Sequence, residues 1–195
     1  MDVVSGSLVA VGLRKVARNL EERAIPLMGV LAAFVFAAQM INLPIAGGTS
    51  AHFLGGTLVG VLLGPWAGLI LISTVLVVQC FLFQDGGVAA LGANIFNMGV
   101  VGSLLSAYFY RGLMRCLKTR SSMVWSGFIA SALSIVISAV CCTSELALSG
   151  VISWRIGLYV IVGTHALLGV LEGIVTGTIL ESLARSRPDL LHFSK

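Results

Sequence analysis

The chain has 195 residues, 57% of them hydrophobic and 10% charged, with a mean hydropathy of +1.02, whereas an ordinary soluble domain carries about 25% charged residues. A chain this short cannot hide so much apolar surface from water. The composition therefore excludes a soluble fold and points to an all-α polytopic membrane bundle, a single unit over residues 1–195, in which each helix satisfies its own backbone hydrogen bonds. The formal net charge of +4 belongs to three basic clusters between apolar spans, which points to membrane lipid as the surrounding and away from nucleic acid as a partner.

Val3 to Leu13 is apolar but covers only about eleven residues, roughly 16 Å of helix, where a crossing needs about 20 residues. It reads as the back half of a transmembrane helix, with the run Arg14, Lys15, Arg18 and Arg23 as the connector that follows. The pattern then predicts helices over 24–43, over the glycine-rich 51–63, and over 65–83, which opens on a proline suited to a first helical turn. After the Gln84-Asp85-Gly86-Gly87 turn, further helices are expected over about 89–113, 124–147 and 156–184. Lys and Arg cluster at 14–23, 111–120 and 185–195 and are missing from the connections at 44–51, 84–88 and 145–154. By the positive-inside rule the first set is cytoplasmic and the second external. Parity then requires about seven crossings, the first truncated, with the N-terminus outside and the C-terminus in the cytoplasm.

Cys80, Cys116, Cys141 and Cys142 show no C-x-x-C spacing and read as helix-packing residues. Small residues recur at four-residue spacing in Gly56, Gly60, Gly64, in Gly169, Gly173, Gly177 and in Gly29, Ala33, Ala37. Such rows let helices approach closely. A row turned inward packs this chain, and a row turned outward offers a surface to another membrane subunit.

The polar groups concentrate the functional reading. His52 lies in the glycine-rich bend 43–56 and is either a hydrogen-bonded loop histidine or a metal ligand. Asp85 is either a ligand or a cap on its turn. Gln79, Asn94 and Asn97 sit in helices beside the external loops and read as a supporting shell that holds the bend. Glu172, near the middle of the last helix, is a costly ionisable group, and His165 is seven residues earlier on nearly the same face. The pair is either a proton relay or a structural hydrogen-bonding set. Glu145 reads as an interfacial charge. No G-x-S-x-G, H-E-x-x-H or P-loop motif occurs, so the chain reads as a transporter rather than an enzyme, driven by a gradient or by a separate motor.

Arg23 to Met40, Pro-Ile-Ala-Gly-Gly-Thr-Ser-Ala-His (44–52), Leu-Leu-Gly-Pro-Trp-Ala-Gly (62–68), Phe-Gln-Asp-Gly-Gly (83–87), Leu-Gly-Ala-Asn-Ile-Phe-Asn-Met-Gly (91–99) and Gly-Thr-His-Ala-Leu-Leu-Gly-Val-Leu-Glu-Gly (163–173) follow in order. Together they resemble the CbiM/NikM family, the metal-capturing membrane component of energy-coupling-factor cobalt and nickel importers, over about residues 23 to 184. The resemblance implies that His52 is a ligand in a nitrogen-rich, near-planar site, with Thr49, Ser50, Gln79, Asp85, Asn94 and Asn97 around it. It implies Co2+ or Ni2+ as transported substrate, with no permanently bound cofactor. The implied partners are a transmembrane coupling subunit, two cytoplasmic ATPases and a small accessory membrane subunit, in a bacterial or archaeal cell membrane. Family members open with Met-His, whose amino terminus, amide and imidazole complete the site; this chain opens Met-Asp-Val-Val. The expectation is that Met1 is an internal start and that upstream residues supply those ligands. The alternatives are a proton-coupled transporter using Glu172 and His165, and a non-transporting remnant without the N-terminal ligands.

Overall fold

The computed structural model describes residues 1–20, 22, 24–44, 50–117 and 121–191. Among them are seven helices: α1 (Asp2–Asn19), α2 (Ala24–Gln39), α3 (Gly56–Leu63), α4 (Pro65–Leu82), α5 (Val88–Cys116), α6 (Ser122–Leu148) and α7 (Trp154–Ser186). The helices α4 to α7 are long and apolar enough to cross a membrane, and α2 is a shorter apolar helix. Between α2 and α3, the short strands β1 (Asn42–Pro44) and β2 (Ser50–His52) pair antiparallel, with Asn42 opposite His52.

Two boundaries differ from the sequence-based expectation. Arg14, Lys15 and Arg18 are not a connector, because α1 continues through them to Asn19 and so has 18 residues, about 27 Å of helix; Arg23 lies outside the described residues. Arg and Lys are good helix formers with long apolar stems, so charge alone does not end a helix. Near its start, the Ser5 hydroxyl donates to the Gly92 carbonyl at 2.7 Å; near its end, Lys15 Nζ stands 4.1 Å over the Trp66 ring. The second difference is that α2 stops at Gln39 and α3 starts only at Gly56, because the backbone between them is taken up by the ladder and by a left-handed turn at Gly55 (φ 67°).

Helix α3 has 8 residues, about 12 Å, and cannot cross alone. The crossing is completed by the extended backbone before it. The backbone at Leu54 meets the carboxylate of Glu172, near the middle of α7, and α3 runs on to Leu63, followed by Gly64, which shares a pocket with Lys15 and Trp66. Every residue of α3 is buried, as a non-spanning segment inside a membrane bundle has to be.

The small-residue rows explain how it is enclosed. A Cβ on Gly56 would meet the Gly102 carbonyl oxygen at 2.5 Å, and one on Gly60 the Ser103 carbonyl oxygen at 2.8 Å, so α3 lies directly against α5. On α7, Gly169, Gly173 and Gly177 face the Ala132, Phe128 and Val124 carbonyls of α6. Both rows pack this chain. The third row differs, because Gly29, Ala33 and Ala37 of α2 are exposed and a Cβ on Gly29 would meet nothing within 4 Å.

Gly173→Leu should therefore lower the thermal unfolding temperature of the purified protein, by the about 1–3 kcal/mol typical of overpacking, while Gly29→Leu leaves it unchanged. Equal effects at the two positions would contradict this packing.

Candidate functional site

His52 closes β2, and its ring nitrogen Nδ1 lies 3.1 Å from the Phe53 carbonyl oxygen. A carbonyl only accepts, so this bond places the proton on Nδ1 and leaves the lone pair of Nε2 free for a ligand. Leu54 and Gly55 then turn their N–H groups toward one carboxylate, that of Glu172: Leu54 donates to Oε2 at 2.6 Å and Gly55 to Oε1 at 3.1 Å. The Ser131 hydroxyl of α6 also donates to Oε1, at 3.2 Å. On the other side, Gln39 Nε2 donates to the Leu54 carbonyl at 2.8 Å, and Gln79 Nε2 donates to Gln39 Oε1 at 3.1 Å.

Next to this bend lies a cavity of about 400 Å³, whose walls include His52, Ser50, Asp85, Asn97, Glu145 and His165. Gln79, Asn94 and Cys142 line it as well. The described members of the predicted set, Glu172 excepted, thus line one space; Thr49 falls outside the described residues. Their roles differ from one another. Of the three amides expected to hold the bend, only Gln79 reaches it, through Gln39. Asn94 Nδ2 donates to the Gly86 carbonyl at 3.4 Å and holds the turn before α5. Asn97 ties α5 to α6, donating from Nδ2 to Glu145 Oε2 at 2.9 Å and accepting at its carbonyl from Ser138 at 2.6 Å. Glu145 is accordingly a wall of the cavity rather than a plain interfacial charge.

Asp85 donates its own N–H to the Gln79 carbonyl at 3.1 Å, and it lines the same cavity as His52. His165, 9% exposed, has Nδ1 2.8 Å from the Ile161 carbonyl, which leaves its Nε2 lone pair free by the same reasoning. Ile161 belongs to a π-wound stretch of α7, Leu158–Val162, and such windings recur at functional sites. His165 lines the cavity, whereas both oxygens of Glu172 are engaged by the loop and Ser131.

Two acceptors on the cavity wall, Asn97 Oδ1 and Glu145 Oε1, are buried without a partner among the described residues. A donor-bearing occupant, such as a cation carrying water ligands, would satisfy them. Among the described residues no three His, Cys, Asp or Glu side chains share a metal-binding point, so the side chains there do not by themselves form a full cage for a divalent cation. Gln39 escaped the sequence reading because it sits within an apolar run. The signal was a lone amide at the end of α2, directly before the bend.

Residues 1–190 match the family described as the cobalt uptake substrate-specific transmembrane region, CbiM. The chain is similar to an inferred fused nickel transport protein NikMN of Archaeoglobus fulgidus, 44% identical over 169 residues that cover 85% of this chain and 55% of that one. It spans about half the length of that relative. It is also similar to the cobalt transport protein CbiM of Sorangium cellulosum, 33% identical over 192 residues covering 94% and 84% of the two chains. A crystal structure of a transition metal transporter superposes with a TM-score of 0.87 at 31% identity, over 94% of this chain and 86% of that one. One of a truncated transition metal transporter gives 0.82 at 30% identity, over 94% and 92%.

Proposed function

Because the chain belongs to the CbiM family of cobalt-uptake transmembrane proteins, we propose that it is the substrate-capture component of an energy-coupling-factor importer for cobalt or nickel. The observation that carries the reading is His52. Its Nε2 lone pair is free, its loop is held by buried hydrogen bonds from α2 and α7, and it faces a cavity with unpartnered acceptors.

Metal enters from outside the cell and takes His52 Nε2 as a ligand. A nitrogen-dominated, near-planar set suits nickel and cobalt, where geometry rather than raw affinity gives selectivity. Asn97 and Glu145 accept hydrogen bonds from the cation's water ligands as it passes. Release into the cytoplasm is driven by two ATPase subunits through a transmembrane coupling subunit, since the chain has no nucleotide-binding motif of its own. The outward row Gly29, Ala33, Ala37 on α2 supports a close helix contact with that subunit. In this reading the N-terminus is external and the C-terminus cytoplasmic.

His52→Ala should reduce uptake of radioactive nickel or cobalt by cells carrying the complete importer at least about 100-fold, since changes to groups behind a ligand already cost about 10–100-fold. Uptake at the original rate would overturn the reading. Leu at Gly29 or Ala33 should abolish copurification with the coupling subunit while leaving the unfolding temperature unchanged. Copurification at the original level would remove α2 as the docking helix.

A further inference from the structure

The peptide of Leu54, two residues after His52, is gripped from opposite sides. Its N–H and that of Gly55 converge on the Glu172 carboxylate from α7, and its carbonyl accepts from Gln39 of α2, which Gln79 of α4 braces in turn. Glu172 is 3% exposed, Gln39 1% and Gln79 4%. Burying a carboxylate in this position is costly, and hydrogen bonds to its charged form are what make it tolerable. If Glu172 served only to join helices, its donors would lie on neighbouring helices. Only Ser131 does. The other two are successive loop amides, an anion-holding arrangement that a left-handed Gly55 makes possible.

We infer that Glu172 and Gln39 are positioning residues for His52, acting as a two-sided clamp on the Leu54 peptide that fixes the depth and aim of the imidazole. This rests on the reading of His52 as a metal ligand. The carboxylate bonds are charge-assisted and the Gln39 bond is not, so the Glu172 side is the stronger half of the clamp. The arrangement also means that the loop cannot swing without breaking contacts to α2 and α7 together.

The test is hydrogen exchange of amides 52–55 in the full chain held in lipid nanodiscs, combined with the rate of diethylpyrocarbonate modification of His52 relative to His165. Glu172→Ala should raise both at least about tenfold, the effect of losing one hydrogen bond to a charged group. Gln39→Ala should raise both by less, and Ser131→Ala, which removes helix-to-helix contacts with Glu172 and Thr176 and none to the loop, should leave both unchanged. A purely structural role for Glu172 would speed modification of both histidines together and leave their ratio unaltered. Glu172→Gln is isosteric, keeps the fold if the alanine variant does not, and should raise the same two signals. Unchanged exchange at 52–55 and an unchanged His52-to-His165 ratio in a folded Glu172 variant would overturn the clamp. Nickel titration separates the two claims. An unchanged affinity in His52→Ala defeats the metal-site reading, whereas loss of affinity there, with loop exchange unaltered in the Glu172 variants, defeats the clamp alone.

Discussion

Extended backbone inside a membrane bundle must find partners for its own N–H and C=O groups, and the segment Ser50–Gly55 is where this chain meets that constraint. The ladder with Asn42–Pro44 serves its first residues, and the buried side chains of Glu172 and Gln39 serve Leu54 and Gly55. With those groups satisfied, the chain descends as far as the middle of α7 without a helix. A helix of 8 residues then suffices to complete the crossing. Glycines at 56 and 60 let that helix lie against the backbone of α5, and the row on α7 draws α6 close enough for Ser131 to reach Glu172.

The cavity is the counterpart of this half-helix. Where a full-length helix would fill the bundle, α3 leaves space that the loop only partly occupies, and the walls of that space carry polar groups otherwise rare in such a chain. His52 presents a free nitrogen there, and Asn97 and Glu145 present unpartnered oxygens. The Phe53 carbonyl holds a proton on Nδ1 and leaves at Nε2 the lone pair a metal needs. The features that make the segment foldable are therefore the ones that make it useful.

Much of this was legible from the sequence because membrane helices announce themselves by long apolar runs. The four long spans were placed to within a few residues of their observed ends. The failures are physical in kind. Hydropathy ended the first helix at Arg14, although helix propensity carries it to Asn19. The bend at 43–56 marked the site through its glycines and one histidine, but no local pattern encodes which distant side chains satisfy its backbone. Glu172 was recognised as an expensive group, while its partners at Leu54 and Gly55 lie more than a hundred residues away in the chain and only the fold joins them. Gln39 does not stand out in the sequence, because one amide in an apolar helix looks like tolerance rather than purpose. Glu145 reads as interfacial from the sequence because its bond to Asn97 crosses between α5 and α6.

The central claim is that one imidazole on a clamped loop captures a transition metal. X-ray absorption at the nickel edge, on the purified protein loaded with one equivalent of nickel, tests it most directly. The account predicts a first shell of nitrogen at short distance, with outer-shell imidazole scattering that weakens in His52→Ala. A shell containing sulfur, or imidazole scattering unchanged without His52, would place the metal elsewhere in the molecule.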